Sequence, residues 1–205
     1  MSRHTGPRLK IMRALGVELP GLSRKSIESR PNPPGQHGAS ASRRRKSDYG
    51  LALIEKQKLR FNYGVSERHL RRLMVEARRH QGPTGDNLLQ LLECRLDNAV
   101  FRAGLAPTIP AARQLVSHSH VLLNGRRANI PSIRLKAGDE IALRERSRNL
   151  PQVRETVAEP ALTRPEWLEW DEAALKARMT RLPEADEVPF PVEIQLVVQH
   201  YATRV

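Results

Sequence analysis

The chain has 205 residues, enough to bury one core of ordinary size or two small ones, and its 35 Lys and Arg against 22 Asp and Glu leave a formal net charge of +13. That bias concerns partners rather than fold and points to a polyanion. A single cysteine, Cys94, excludes an intramolecular disulfide and a zinc site built from several thiolates, and an aromatic content of 4% argues against reading single strands through ladders of stacked bases.

No apolar run approaches the roughly 20 residues of a membrane span, and the basic N-terminus lacks the apolar core of a secretory signal, so a soluble intracellular protein is expected. The charge is unevenly placed. Residues 1–80 hold 19 Lys and Arg against 6 Asp and Glu, whereas residues 81–205 hold 16 of each. Residues 1–46 are rich in Arg, Ser, Pro and Gly and poor in large apolar side chains, with a short amphipathic hint at Leu9, Met12 and Leu15. Such a segment buries too little surface to offset its ordering entropy, which predicts an extended basic arm fixed mainly against its partner. Its candidate phosphate contacts are Arg3, Arg8, Lys10, Arg13, Arg24, Lys25 and the run Arg43, Arg44, Arg45 and Lys46. His37 lies in a Gly-rich turn, where backbone approach to phosphate and simple turn chemistry fit equally.

Ser47 and Asp48 open a helix that continues through Leu51, Ile54 and Lys58 to about Tyr63, with Gly64 as its stop. Ser66 caps the next helix, in which Leu70, Leu73, Met74 and Ala77 form an apolar stripe and Arg68, Arg71, Arg72, Arg78 and Arg79 fill the remaining surface. Arginines this dense on one helix repel each other unless something neutralises them. Tyr49, Lys56, Lys58 and Arg60 on the first helix, with Arg68, Arg71 and Arg72 on the second, are therefore candidate nucleic-acid contacts. Gln81 to Gly85 breaks the chain, and Asp86 caps a long apolar helix expected to join two bodies.

Helical spacing at Leu88, Leu92, Leu96 and Val100, then at Ala112, Leu115 and Val116, predicts two helices, and Asn124-Gly125 stands between apolar runs where a type I′ hairpin turn belongs. A strand over Ile133 and Leu135, a turn at Gly138-Asp139 and a strand from Ile141 to Leu143 complete a small curled sheet backed by the two helices. Arginine's planar fork grips phosphate, and A-form RNA shows proteins mostly backbone and 2′-hydroxyls, so Arg95, Arg113, Gln114, His118, His120, Asn124, Arg126 and Arg127 are the module's candidate contacts. Arg95 could instead pair with Asp97. His118 and His120 lack a third ligand and a carboxylate partner, which sets aside metal binding and general-base catalysis. Cys94 reads as a packed, inert thiol.

Residues 144–165 are polar and punctuated by Pro151, Pro160 and Pro165; Trp167 and Trp170, three apart on one face, read as core; and Ile194 to Val198 predict a final strand or helix. Three function classes compete. An RNA-modifying enzyme would need a catalytic domain that the residues after Arg148 are too few to supply. A DNA-binding helix-turn-helix regulator shares the two helices, but the hairpin, the arm and the spread of charge favour a structural binder of a large RNA surface.

Several motifs carry a resemblance across essentially the whole chain: Pro34-Gly35-Gln36-His37-Gly38, Ser47-Asp48-Tyr49, Glu55-Lys56-Gln57-Lys58-Leu59-Arg60, Tyr63-Gly64, Arg95-Leu96-Asp97-Asn98, Ala112-Arg113-Gln114-Leu115-Val116 and Asn124-Gly125-Arg126. In that order they resemble the bacterial-type family of the fourth protein of the small ribosomal subunit. The segment from Arg95 resembles the small RNA-binding module named after that family. The resemblance implies a primary binder of small-subunit ribosomal RNA, docked on a multi-helix junction of the 5′ domain early in assembly. It also implies contact with the neighbouring fifth protein, a place beside the channel by which messenger RNA enters, a contribution to translational accuracy, and a cytoplasmic ribosome. Many members hold zinc in the arm through four cysteines, but here Leu9 and Met12 stand in a region without Cys, so no metal or other cofactor is expected. Ile109-Pro110 and Ser119 also depart from the family's usual residues. The combined expectation is an α+β protein: a basic arm over residues 1–46, a mostly helical domain from 47–94 plus 180–205, an RNA-binding module over 95–165, and a connecting segment at 166–179.

Overall fold

The structure, a computed structural model, describes residues 6–41 and 46–202. In chain order its helices are α1 (Arg8–Leu15), α2 (Gly38–Ala41), α3 (Asp48–Asn62), α4 (Glu67–Ala77), α5 (Thr84–Glu93), α6 (Leu96–Arg102), α7 (Ile109–Ser117), α8 (Glu145–Arg148), α9 (Pro151–Ala158) and α10 (Ile194–Ala202). The strands are β1 (Val121–Leu123), β2 (Arg126–Ala128), β3 (Glu140–Leu143), β4 (Leu168–Asp171) and β5 (Lys176–Met179). Two compact units emerge, one from the chain up to Leu88 and from Pro189 onward, the other from Leu89–Val188. The mixture of helices and antiparallel strands is the α+β class expected.

In the first unit the caps stand where the sequence puts them. The Ser47 hydroxyl accepts from the Gly50 N–H at 3.3 Å, the Ser66 hydroxyl from His69 N–H at 3.3 Å, and Gly64 leaves α3 with φ +59°. The arm departs from its expected extended form. Helix α1 packs on α3, Met12, Leu19 and Leu22 are buried, and the Gly21 N–H donates to Asn62 Oδ1 at 2.9 Å. Burying each such side chain contributes about 1.5–3 kcal/mol, so three spaced apolar residues suffice to dock a segment whose average composition is polar.

The tail resolves as a helix. α10 packs on α3 and α4, burying Val197, His200 and Tyr201. Lys58 Nζ donates to the Pro191 carbonyl at 3.3 Å and the Glu193 N–H to Glu55 at 2.9 Å. At Gly85 a Cβ would stand 2.8 Å from Ile194 Cγ1, so glycine lets the start of α5 approach α10.

In the second unit the long apolar helix is interrupted. α5 ends at Glu93 and α6 begins at Leu96, because Arg95 turns extended (φ −71°, ψ 139°) and bridges Arg134. The Leu96 N–H donates to Ile133 O and the Leu135 N–H to Cys94 O, both at 2.8 Å. The strand expected over Ile133 and Leu135 forms only that isolated bridge: its backbone groups are spent beside the start of α6 rather than on a ladder. The sheet runs β2-β1-β3-β5-β4, every neighbouring pair antiparallel. The hairpin turn has Asn124 at φ 51° and Gly125 at φ 76°, both residues in the left-handed region as the type I′ reading requires.

Residues 166–179, expected as a connector, are instead β4 and β5, and residues 180–188 lie with this second unit rather than with the helical one. Buried Ala177 and Met179 alternate with Lys176 and Arg178, a period too short to stand out along the chain. Trp167 is fully buried as expected. Trp170 is half-buried on β4, with the Arg164 guanidinium 4.4 Å from its ring centroid.

Candidate nucleic-acid interface

Helix α4 separates its two faces cleanly. Leu70, Leu73, Met74 and Ala77 are buried, whereas Arg68, Arg71, Arg72, Arg78 and Arg79 are exposed. Of these Arg78 also reaches the Tyr201 carbonyl at 3.1 Å. The neighbouring lysines of α3 are not on that surface. Lys56 is buried against Glu67 at 2.8 Å, and Lys58 against Glu55 at 2.6 Å, so both candidate contacts are corrected to structural ion pairs. A buried ammonium that leaves its carboxylate forfeits several kcal/mol, which holds these two away from any phosphate. Arg60 is half-buried, bonded to Gln57 Oε1 at 3.2 Å and placed 5.0 Å from the Phe61 ring.

In the arm, Lys10, Arg24, Lys25 and His37 are exposed, as are Lys46 just before α3 and Tyr49 in its first turn. Arg8 donates to the Leu22 carbonyl at 3.3 Å and Arg13 to that of Asn32 at 2.9 Å, bracing the arm on itself. Arg3, Arg43, Arg44 and Arg45 lie outside the described residues.

The second unit is organised by a buried carboxylate. Asp97 receives Arg95 through Nε at 3.0 Å and Nη2 at 2.9 Å, Arg113 through Nε at 2.9 Å and Nη2 at 2.6 Å, and the Asn98 N–H at 3.0 Å. Arg95 is buried and Arg113 half-buried, and both are engaged in the clamp that ties α6 to α7. A second network sits beside it. Asn98 Nδ2 bonds the Glu93 carboxylate at 2.8 Å, and Arg102, 3.6 Å from that carboxylate, donates to the Glu187 carbonyl at 2.8 Å. What remains outward is Gln114, His118, Arg126 and Arg127, all exposed.

Two further candidates take internal roles. Asn124 donates to Asp139 at 2.8 Å and accepts from the Glu140 N–H at 2.8 Å, locking the hairpin tip to the β3 turn. His120 Nδ1 lies 2.8 Å from Ser147 Oγ, and its ring is 6.2 Å from that of His118. Among the described residues no group of three or more His, Cys, Asp or Glu is placed to hold a metal, and no helix is long and apolar enough to cross a membrane. Cys94 is buried; burial first, then the charge of Glu93, pushes its thiol up to about 12, which leaves it protonated and unreactive. Exposed Arg79 and Arg178 were absent from the candidate set. Helical spacing after Arg72 would have found the first, and alternation with Ala177 and Met179 the second.

Glu67 links the elements of the first unit, accepting from Lys56 and, at 2.7 Å, from the Tyr201 hydroxyl. Burial alone would raise its carboxyl; the bonds from Lys56 and Tyr201 and the charges of Lys56 and Arg60 outweigh that and hold it below the usual carboxylate range. A depressed folded pKa contributes stability that is present above the unfolded value, about 4.3, and is lost as pH falls through the folded one. The stability gap between wild type and Glu67→Gln, measured by urea melts in far-UV circular dichroism, should therefore shrink as pH is lowered from about 6 to about 3. A gap independent of pH would show that the carboxylate's charge plays no part.

A family model described as the ribosomal protein S4/S9 N-terminal domain matches residues 3–93, and one described as the S4 domain matches residues 94–141. The chain is 66% identical over 204 residues to the small ribosomal subunit protein uS4 of Methylobacillus flagellatus and 66% identical over 204 residues to the uS4B protein of Nitrosomonas europaea. It is 51% identical over 205 residues to uS4 of a Synechococcus strain; all three matches cover 100% of both chains. The chain belongs to the bacterial uS4 family of small-subunit ribosomal proteins, which are structural proteins and not enzymes.

Proposed function

We propose that this chain is a structural constituent of the small subunit of a bacterial cytoplasmic ribosome that binds small-subunit ribosomal RNA directly. It docks on a multi-helix junction of the 5′ domain, helps to nucleate assembly, and, with the neighbouring fifth protein, contributes to translational accuracy beside the channel by which messenger RNA enters. The observation that carries the RNA-binding reading is α4, which buries Leu70, Leu73, Met74 and Ala77 while Arg68, Arg71 and Arg72 stay exposed beside one another. Exposed guanidinium groups at that spacing match a phosphate backbone.

The contact groups divide by role. Exposed Lys10, Arg24, Lys25, Lys46, Arg68, Arg71 and Arg72 supply long-range attraction and phosphate contacts, with Arg3, Arg43, Arg44 and Arg45 adding charge at the same end of the chain. Gln114, His118, Arg126 and Arg127 give the second unit its RNA-facing surface, held in register by the Asp97 clamp and by Asn124. No cofactor is called for, since neutralising phosphates needs only fixed cations.

Competition between a 5′-domain junction fragment of ribosomal RNA and duplex DNA of equal length tests this reading. The RNA should win, and log affinity should fall with log salt at about 0.9 per phosphate neutralised. Preference for the DNA would sink it.

A further inference from the structure

The first unit contains a cavity of about 630 Å³ between α3, α4 and α10. That volume lies within the range of small-ligand sites, large enough for one nucleotide and too small for a stretch of duplex. Its chemistry is specific. Glu67 accepts one hydrogen bond on each carboxylate oxygen, from Lys56 and from Tyr201, and its side chain remains 41% exposed. A carboxylate offers about four lone-pair positions, so both oxygens keep acceptor capacity towards the cavity. Arg60 and Arg71 line the wall, and with Lys56 they leave the site net cationic despite the acid at its floor.

Tyr49 completes the lining. Its ring is held 5.7 Å from that of buried His200, yet it is 52% exposed, the setting in which a flat apolar face meets a nucleobase. Among the four RNA bases, guanine alone presents two adjacent donors, the ring N1–H and the exocyclic amino group, on one edge, and these match two carboxylate oxygens. Adenine and cytosine set a single amino group beside an acceptor, and uracil sets its N–H between two carbonyls. An exposed carboxylate therefore selects guanine, where a purely cationic cleft would take any nucleotide.

Resting on the RNA-binding reading above, we propose that this cleft receives one unpaired guanosine of the bound RNA, its base stacked on Tyr49, its Watson–Crick edge donating to Glu67, and its phosphate held by Arg60 and Arg71. A single stacking side chain suits capture of one extruded base within an otherwise phosphate-reading surface.

The test uses the full-length chain and three RNA hairpins of equal length, one with a single bulged guanosine, one with a bulged adenosine and one fully paired, with binding read by fluorescence anisotropy. The guanosine bulge should bind about tenfold more tightly than the paired hairpin, as stacking of one base implies, and more tightly than the adenosine bulge. Tyr49→Ala should abolish the advantage of the bulged hairpins over the paired one, and Tyr49→Phe should keep it. Glu67→Gln should erase the difference between guanosine and adenosine; the Tyr49 variants, at a half-exposed position, keep the question open to refutation if that variant folds poorly. Equal wild-type affinity for the two bulges overturns the guanine assignment. Equal affinity for all three hairpins, or a uniform loss in Tyr49→Ala, overturns the cleft while leaving RNA binding standing; failure to bind any of them overturns both.

Discussion

Reversing Arg68, Arg71 and Arg72 to glutamate should weaken ribosomal RNA binding by roughly several hundredfold at about 0.1 M salt, and should do so for RNAs of unrelated sequence. Each phosphate contact contributes about 0.9 to the slope of log affinity against log salt, so three lost contacts remove about 2.7 decades at that concentration, before any repulsion from the new acids. The fold should survive, because the three side chains are exposed and the buried stripe of Leu70, Leu73, Met74 and Ala77 is untouched. Filter binding over a salt series gives both numbers at once. An unchanged slope would mean that these arginines are simply solvated, and a loss confined to one RNA sequence would mean that they read bases, since phosphates carry no code.

Asp97→Ala should destabilise the second unit by about 3–5 kcal/mol, the cost of breaking a buried charge pair and leaving its partners uncompensated. Two guanidinium groups converge on this one carboxylate, and Arg95 is buried with it. Removing the acid leaves the buried Arg95 guanidinium without that carboxylate and breaks the ion pair that links α7 to α6. Both tryptophans, Trp167 and Trp170, lie in the same unit, so urea unfolding followed by tryptophan fluorescence reports on it directly. A loss below about 1 kcal/mol would show that water replaces the carboxylate at little cost and that the clamp is not what orders the module. The variant's RNA affinity should fall with its folded fraction rather than through any lost phosphate contact.

How much of this was legible in advance depends on how local each signal is. Ser47, Ser66, Gly64 and Asn124-Gly125 act within a turn of their own position, and the helix caps and hairpin fell where those residues put them. The stripe on α4 is likewise a local period. Signals that need a distant partner were missed. The 176–179 strand depends on β3 across the sheet and the 168–171 strand on its pairing with β5, and the docking of the arm draws on Asn62, 41 residues from Gly21. The same distinction governs the candidate contacts. Exposed Arg68, Arg71, Arg72, Arg126 and Arg127 share sequence character with Lys56, Lys58, Arg95 and Arg113, yet the latter four meet Glu67, Glu55 and Asp97. A basic side chain reads the same in the chain whether its acid waits inside the fold or on another molecule. The cleft at Tyr49 was beyond reach for that reason, since α3, α4 and α10 contribute to it from three separate stretches.

The sheet ends in two short borders, β2 with three residues and β4 with four. Each carries exposed charge of one sign, Arg126 and Arg127 on β2, Glu169 and Asp171 on β4. A bare strand edge is a template on which a second copy can grow, and brevity and charge are the usual safeguards against it. A ribosomal protein is made away from its RNA and must travel to it with its cationic surface unmasked; borders of this kind let it make that journey without polymerising edge to edge.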